Sequence, residues 1–135
     1  MIVVDASALV VALADDGAAG ASTRLRLLEA ADLHAPHLVD VEVTAALRRL
    51  VVVQRSMTSA RGTAAIEDLA DLPITRYPHP DLLGRAWELR HTIRPYDGVD
   101  VALAEALGVA LLTDDARLAA ASGPHCPIET VAHPA

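Results

Sequence analysis

Acidic residues from separate parts of the sequence could together form a catalytic site. Each of them interrupts or follows an apolar stretch, and they are Asp5, Glu42, Asp97, Asp114 and Asp115. Several carboxylates within a few ångströms repel one another, which raises their pKa values unless a cation lies among them. Carboxylate oxygens are hard ligands that favour Mg²⁺ or Mn²⁺ over zinc. Such a group would support metal-assisted attack of water on a phosphate ester.

Each acid, taken singly, also has a simpler structural explanation. Asp5 could cap the helix that follows it, because its carboxylate would accept the free N–H groups of the first turn. The segment DGVD, from Asp97 to Asp100, resembles a capping box with Asp in place of the usual Glu, and Asp114 could cap the last helix. Glu42 is harder to explain in this way, since an unpaired carboxylate on an apolar helical stripe is costly.

The apolar pattern predicts the elements that would position these acids. Short apolar runs predict strands at residues 2–5, 33–36, 74–77 and 109–113, and a fifth strand at an edge of the sheet at residues 127–131. Helical spacing and breakers predict helices at residues 6–14, 20–31, 37–53, 58–72, 80–93, 97–107 and 114–122. Strands and helices that alternate in this way imply an α/β fold, with a parallel sheet covered by helices on both faces.

This fold would bring the candidate acids to one edge of the sheet. Asp5 ends the first strand, and Asp114 and Asp115 directly follow the fourth, so all three lie at the carboxyl edge. Glu42 lies in the opening turns of the helix after the second strand. Asp97 begins a helix that runs antiparallel to the sheet, so it starts at the same edge. Ligand sites of open α/β sheets form at this edge, where the strand order reverses.

Length and composition favour one domain. The chain has 135 residues, 53% of them hydrophobic, but it contains no Phe, one Trp and two Tyr, so Ala, Val and Leu must build the core. We expect a single domain over residues 1–135. No apolar stretch has bilayer-spanning length, and the acids in and directly behind the N-terminal run argue against a signal peptide. Cys126 is the sole cysteine, which fits ordinary packing in a protein of the reducing cytoplasm.

The basic residues argue against several classes of phosphate-handling protein. The formal net charge is −7, and all 11 basic residues are arginine. Response-regulator receivers, haloacid-dehalogenase-like phosphatases and P-loop enzymes share the alternating pattern but need a lysine near the phosphate. Arginine can bind two phosphate oxygens at once. A chain that is rich in Ala and Arg and free of Lys is also what a GC-rich genome produces.

Three segments form a recognisable set that spans nearly the whole chain. They are IVVDASALV at the N-terminus, VEVTAALRR on the third helix and YDGVDVALAEALGVALLTDDARL near the C-terminus. In these segments the sequence resembles the PIN-domain ribonucleases, and most closely the VapC-type toxins of bacterial toxin–antitoxin pairs. The resemblance implies a PIN-like three-layer α/β fold, with a short central parallel sheet of four to five strands. It also implies a Mg²⁺-dependent endoribonuclease that hydrolyses RNA phosphodiester bonds.

The same resemblance assigns roles to individual acids. The acidic positions of the family fall on Asp5, Glu42, Asp97 and Asp115, and the third residue of the T-x-D motif selects Asp115 over Asp114. By this resemblance, Asp5 and Asp97 would be the principal ligands of Mg²⁺, for which Mn²⁺ could substitute. Glu42 and Asp115 would complete the acidic pocket.

Hydroxyl and basic residues near these acids would have supporting roles. Ser7 and Thr113 occupy positions where the family often has hydroxyls near the pocket. Arg117, together with Arg48 or Arg49, is a candidate to hold RNA on the rim of the pocket. The alternative for these arginines is a solvated charge on a helix face.

Three other polar residues are expected to stay outside the chemistry. Asp100 occupies a position where relatives commonly carry an aromatic or apolar residue. It could join the outer shell of the metal, but we expect it to complete the helix cap. His34 and His37 are close in sequence, yet no second pair joins them, so we interpret them as non-catalytic rather than as zinc ligands.

The resemblance also implies partners. Besides the RNA substrate, it implies a homodimer and an inhibitory antitoxin whose C-terminal segment lies across the acidic groove, often presenting an arginine to the carboxylates. The apolar surface of the helices between residues 18 and 53 could serve both protein contacts. Two other functions remain open: a PIN-like binding module without turnover, and another metal-dependent phosphoesterase. Retention of all four acids argues against the first, and the YDGVD…TDDARL pattern against the second.

Overall fold

A five-stranded parallel sheet forms the centre of the protein. The computed structural model describes residues 1–134, and Ala135, the last residue of the predicted domain, lies outside the described residues. The strands are β1 (Ile2–Val4), β2 (Leu33–Pro36), β3 (Ile74–Tyr77), β4 (Leu111–Thr113) and β5 (Ile128–Thr130). Their order is β3-β2-β1-β4-β5, and every neighbouring pair is parallel. The predicted α/β fold is therefore confirmed, with β5 at an edge.

Helices cover both faces of the sheet. Those of the described residues are α1 (Ala6–Ala14), α2 (Ala18–Ala30), α3 (Val39–Arg48), α4 (Ser59–Asp71), α5 (Pro80–Glu88), α6 (Pro95–Leu107) and α7 (Ala116–Ala120). One apolar cluster packs helices α1, α2, α3 and α4 against one face of the sheet. A second cluster packs α5, α6 and α7 against the other face. Within the described range, no helix combines the length and the apolar character needed to cross a bilayer.

The continuous apolar runs of the central strands follow from this burial on two faces. Successive side chains of a strand point to opposite faces of the sheet. Ile2 and Val4 accordingly lie in the first cluster, and Val3 lies in the second. All three are fully buried. A strand covered by helices on both faces needs apolar residues at every position, which is why β1 shows no alternation.

Some predicted helix boundaries are wrong. The segment predicted as one helix at residues 37–53 is α3 followed by a π-helical turn, Arg49–Val53. The helix predicted to begin at Asp97 begins two residues earlier, because Pro95 occupies its first turn. The helix predicted at residues 80–93 ends at Glu88.

The strand order creates one switch point. From β1 the chain adds β2 and β3 on one side, and then crosses to add β4 and β5 on the other. The order therefore reverses between β1 and β4, which are neighbours in the sheet. A crevice forms outside the carboxyl ends of two such strands. Asp5 directly follows β1, and Asp114 and Asp115 follow β4, so these acids lie at the switch point.

The close packing of α5 against α6 fixes the position of α6 beside the switch point. Gly98 on α6 faces Ala86 on α5, and a Cβ atom built on Gly98 would lie 3.1 Å from the Ala86 Cβ and 3.2 Å from its Cα. No larger side chain fits at this contact without moving a helix. Because α6 also carries Asp97 and Asp100, the contact fixes the position of both acids.

We predict that Gly98→Val lowers the free energy of unfolding by about 1–3 kcal/mol, because the added methyl groups would force α5 and α6 apart. Gly84→Ala is the matched control, since Gly84 lies on α5 with no atom within 4 Å of an added Cβ. It should gain about 0.5–1 kcal/mol from helix propensity. Urea unfolding followed by circular dichroism measures both. A Gly98→Val protein as stable as the wild type would contradict the close packing.

Candidate active site

A hydrogen-bond network joins the loops that follow β1 and β4. The carboxylate of Asp5 accepts from the Ser7 hydroxyl at 2.6 Å through Oδ1, and from the Thr113 hydroxyl through Oδ2. Each hydroxyl oxygen in turn accepts a backbone N–H of the loop after β4. Ser7 accepts from Asp114 at 2.8 Å, and Thr113 accepts from Asp115 at 3.0 Å. Ser7 and Thr113 thus orient the Asp5 carboxylate and tie it to the neighbouring acidic loop.

Asp5 combines a capping role with a place in the cleft. Its Oδ1 also accepts the Ala8 N–H at 2.9 Å, which makes it the N-cap of α1. The side chain is buried, and this burial raises its pKa despite the hydrogen bonds from Ser7, Thr113 and Ala8. Two donors occupy Oδ1, but only one occupies Oδ2, so Oδ2 keeps a lone pair for a cation. The capping explanation and the site explanation therefore hold together.

Three carboxylates meet beside this network. Asp5, Asp97 and Asp100 each offer an oxygen that lies within 4.8 Å of those of the other two. Asp97 and Asp100 are three residues apart on α6, so they share one face of the helix. Asp100 is 2% exposed. Burial, with the negative charges of Asp5, Glu42 and Asp97, raises its pKa well above the usual range, and no hydrogen bond from a described residue offsets this.

The predicted capping role of Asp100 is wrong. Arg94 occupies the N-cap position of α6, without a capping hydrogen bond from its side chain, and the helix begins at Pro95. Asp100 therefore lies in the second turn, where the backbone N–H groups already have partners within the helix. Its side chain points into the acidic cleft instead. The proline of the segment RPYD was the signal for the earlier start, since proline is favoured at the first helical position.

All four predicted acids line one cleft of about 410 Å³. Two of the four, Glu42 and Asp115, do not belong to the close group of three carboxylates. Glu42 lies on α3, and Asp115 caps α7 by accepting the Arg117 N–H at 2.9 Å. Burial, with the charges of Asp97 and Asp5, raises the pKa of Glu42 to about 7. Asp114 also lines the cleft, but the cap of α7 is Asp115.

The donor set of the cleft fits a hard divalent cation. Its three closest side chains offer carboxylate oxygens only, which suits Mg²⁺ or Mn²⁺. One of them, Asp100, is 2% exposed and accepts no hydrogen bond from a described residue, so burial and the neighbouring negative charges favour a proton or a cation at its carboxylate. His34 and His37 do not line the cleft. The Nδ1 of His34, on β2, lies instead 2.7 Å from the hydroxyl of Tyr77, on the edge strand β3.

Two arginines extend into the acidic cleft. Arg49, in the π-helical turn, and Arg94, at the start of α6, both line it, whereas Arg48 does not. Neither Arg49 nor Arg94 forms an ion pair within the described part of the chain. Arg117 is 90% exposed and lies 3.6 Å from Asp115. Sequence reasoning missed Arg94, although it directly precedes the PYD segment.

Comparison with protein families and with curated relatives gives consistent results. The PIN domain family model matches residues 2–124. Ribonuclease VapC9 of Mycobacterium tuberculosis is 46% identical over 131 residues, which cover 97% of this chain and 98% of that protein. Ribonuclease VapC1 of the same organism is 48% identical over 130 residues, which cover 96% of each chain.

Solved structures share the fold at lower identity. Mycobacterium tuberculosis VapC20, described as a sarcin-ricin loop cleaving toxin, aligns with a TM-score of 0.66 and 19% identity, over 89% of this chain and 94% of that one. DNA-bound VapBC from Salmonella typhimurium aligns with a TM-score of 0.69 and 15% identity, over 97% and 98% of the two chains. At these identities the alignments establish the fold alone.

We predict that Glu42→Gln stabilises the metal-free protein at neutral and alkaline pH but not in acid. The folded protein holds the Glu42 proton up to a pKa of about 7, against 4.5 for the ordinary side chain. The protonated Glu42 side chain therefore contributes fully to the free energy of unfolding below about pH 4.5, and this contribution is lost as the pH rises through 7. In EDTA, the free energy of unfolding of the variant should match the wild type near pH 4, and exceed it by about 2 kcal/mol near pH 8.

Urea unfolding at the two pH values measures this difference. Glu67→Gln, at an exposed position on α4, is the matched control and should change nothing. A gain for Glu42→Gln that is the same at both pH values would show that Glu42 carries no raised pKa.

Proposed function

The chain belongs to the PIN-domain family and, within it, to the VapC ribonucleases, and we propose that it is a metal-dependent endoribonuclease acting as the toxin of a toxin–antitoxin pair. The observation that carries the proposal is the meeting of Asp5, Asp97 and Asp100 within 4.8 Å at the switch point of the sheet. Relatives named as ribonucleases cover almost the entire chain. The proposed reaction is hydrolysis of RNA phosphodiester bonds in the acidic cleft.

The cation we propose is Mg²⁺, with Mn²⁺ as a substitute. Asp5, Asp97 and Asp100 would hold it, since their oxygens are the closest in the cleft. When bound, the cation would supply positive charge beside the phosphate and Lewis acidity toward the attacking water. Asp97 and Asp100 are carried by a single helix, so their separation is fixed by the backbone before any ligand arrives.

Glu42 is suited to accept the proton of the attacking water at a carboxylate oxygen. It lines the same cleft as the cation ligands without belonging to their closest group. A general base works best when its pKa is near the working pH, and burial raises the pKa of Glu42 to about 7. A cation beside Asp5 and Asp97 would lower that pKa and keep Glu42 ionised at neutral pH. Asp115, which lines the same cleft, would complete the acidic pocket.

The positive charges in and around the cleft would hold the RNA. Arg49 and Arg94 line the cleft and form no ion pair with any described residue, so their guanidinium groups are free to bind phosphate oxygens. Arg117 lies on the rim. This arrangement accommodates a polyanion on a chain whose formal net charge is −7.

We also propose an antitoxin and a second copy of the chain as protein partners. VapBC complexes are among the proteins with this fold. An apolar groove of about 440 Å³ lies between α2 and α4, where Leu27, Leu28 and Leu72 could receive apolar side chains of an antitoxin. On α3 and the π-helical turn, Val41, Val52 and Val53 are all more than half exposed and suit self-association.

The two rival functions are weaker on specific grounds. A binding module without turnover has no need for a carboxylate such as Asp100, buried without a donor at a cost in stability. Another metal-dependent phosphoesterase would share the pocket, but the relatives that cover nearly the full length are named as ribonucleases. We further propose one PIN domain over residues 1–135, located in the cytoplasm with its RNA substrate.

We predict that purified protein without antitoxin cleaves structured RNA in Mg²⁺ or Mn²⁺, and that Asp97→Asn and Asp100→Asn each reduce the rate at least about 100-fold. Each substitution removes a charge that holds the cation, and the cation supplies several kcal/mol of transition-state stabilisation. Glu67→Gln should leave the rate unchanged, because Glu67 is exposed on α4, outside the acidic cleft.

The measurement is the rate of product formation on denaturing gels, with and without EDTA. Cleavage that survives EDTA or either substitution would exclude the proposed mechanism. RNA that is bound but never cut by the wild type, across a range of RNAs and cations, would favour the binding module.

We predict that the wild type is a dimer in solution, with a mass close to twice the 14.2 kDa of the chain. Val52 and Val53 are exposed on the π-helical turn that directly continues α3, the helix that carries the exposed Val41. Val52→Glu and Val53→Glu place a charge on this surface and should dissociate the dimer, so light scattering should then give the mass of the monomer. Leu83→Glu, at an exposed position on α5, is the matched control and should stay dimeric. A monomeric wild type would contradict the proposed dimer.

A further inference from the structure

A second cleft, of about 300 Å³, adjoins the acidic cleft between the start of α6 and α7. The two clefts share three residues, Arg94, Asp97 and Asp115, which stand as a ridge between them. An extended chain that passes over the cation ligands can therefore continue into the second cleft. Its volume lies at the lower end of the range of ligand sites, so it has room for one small unit of such a chain.

The walls of the second cleft combine positive charge with an apolar floor. Arg94 and Arg117 supply the charge, and Ile93, Leu118 and Ala121 supply the floor. Ile93 and Leu118 are buried in the second apolar cluster, so the floor is rigid. A nucleotide has the matching parts: an anionic phosphate, and a base or ribose with flat apolar faces.

Arg94 is the residue best placed to hold the phosphate. It makes no ion pair or side-chain hydrogen bond within the described part of the chain, whereas Arg26, Arg61, Arg76 and Arg85 are all bonded to carboxylates. It is also the N-cap residue of α6, and the positive end of that helix adds to its attraction for an anion. Arg94 and Arg117 line the second cleft together with Asp97 and Asp115, so both arginines lie beside the ridge.

The carboxylates on the ridge suit the sugar and the base. Asp97 and Asp115 are acceptors, so they can bind a ribose 2′-hydroxyl or an amino group of a base. Guanidinium planes such as that of Arg117 stack on unpaired bases in single-stranded RNA. A paired base in a helix could not enter a cleft of this size.

We propose that the second cleft is a nucleotide subsite, which takes one unpaired nucleotide next to the bond that is cut and holds its phosphate at Arg94. The assignment rests on the proposed ribonuclease function, because it is that function which makes RNA the chain that crosses the ridge. To that function the subsite adds a phosphate-binding residue, Arg94, and the requirement that one nucleotide beside the cleavage position is unstacked.

The subsite can be tested by binding, separately from cleavage. The ¹⁵N-labelled full-length protein, free of antitoxin and in Mg²⁺, is titrated with each of the four nucleoside 5′-monophosphates and followed by its amide NMR signals. We expect saturable shifts of Ile93, Leu118 and Ala121 with at least one nucleotide. Inorganic phosphate, which lacks the base and ribose, should shift these floor signals far less.

Three variants identify the contact. Arg94→Ala, at an exposed position, should weaken nucleotide binding about tenfold, the loss of one charge-assisted contact. Ala121→Phe should fill the cleft and abolish the shifts of Ile93 and Leu118. Arg55→Asn is the charge-matched control: Arg55 lines neither cleft, its φ of 54° suits asparagine, and binding should not change.

Shifts confined to amides around Asp5 and Ser7, equal floor shifts with inorganic phosphate, or undiminished binding by Arg94→Ala would each overturn the subsite. RNA cleavage is measured in parallel on the same samples. Cleavage without floor shifts would reject the subsite and leave the ribonuclease function standing. Floor shifts without cleavage would support the subsite as a nucleotide site and reject the ribonuclease function.

Discussion

Three carboxylates that lie close together in the acidic cleft repel one another, and the loops and helices around them have to offset that repulsion. Asp5, Asp97 and Asp100 have oxygens within 4.8 Å of one another, and Asp100 is buried with no hydrogen-bond donor. A protein that placed these charges together for packing alone would lose stability. The group is therefore intelligible as a cation site, in which the ion provides the missing positive charge. The raised pKa values of all three acids, and of Glu42, express the same requirement in the metal-free state.

The surrounding fold holds these charges together against their repulsion. The switch point between β1 and β4 brings Asp5 and the acidic loop after β4 to one crevice. Ser7 and Thr113 then join the two loops through paired hydroxyl bonds. The packing of Gly98 on Ala86 fixes α6, and with it the other two acids. The strand order, the hydroxyl hydrogen bonds and the helix contact together hold the three carboxylates in fixed positions.

The sequence predicts more of the sheet edge than of the helix ends. Parallel strands bring their carboxyl ends to one edge, so the gathering of Asp5, Glu42, Asp97 and Asp115 in one cleft follows from topology. The role of Asp100 does not follow, because it depends on where α6 begins, and a shift of two residues moves the side chain from the cap to the interior. Arg49 and Arg94 needed the three-dimensional cleft. The first lies in a π-helical turn, and the second lies on a ridge between clefts that no spacing reveals.

A crystal structure of the antitoxin-free protein grown with Mn²⁺, in which anomalous scattering locates the ion, would test the cation site directly. The proposed cation site predicts an anomalous peak in contact with carboxylate oxygens of Asp5, Asp97 and Asp100, and its loss in Asp100→Asn crystals. A peak bound only by Glu42 and Asp115, a peak retained unchanged in Asp100→Asn, or no peak in the acidic cleft would contradict it.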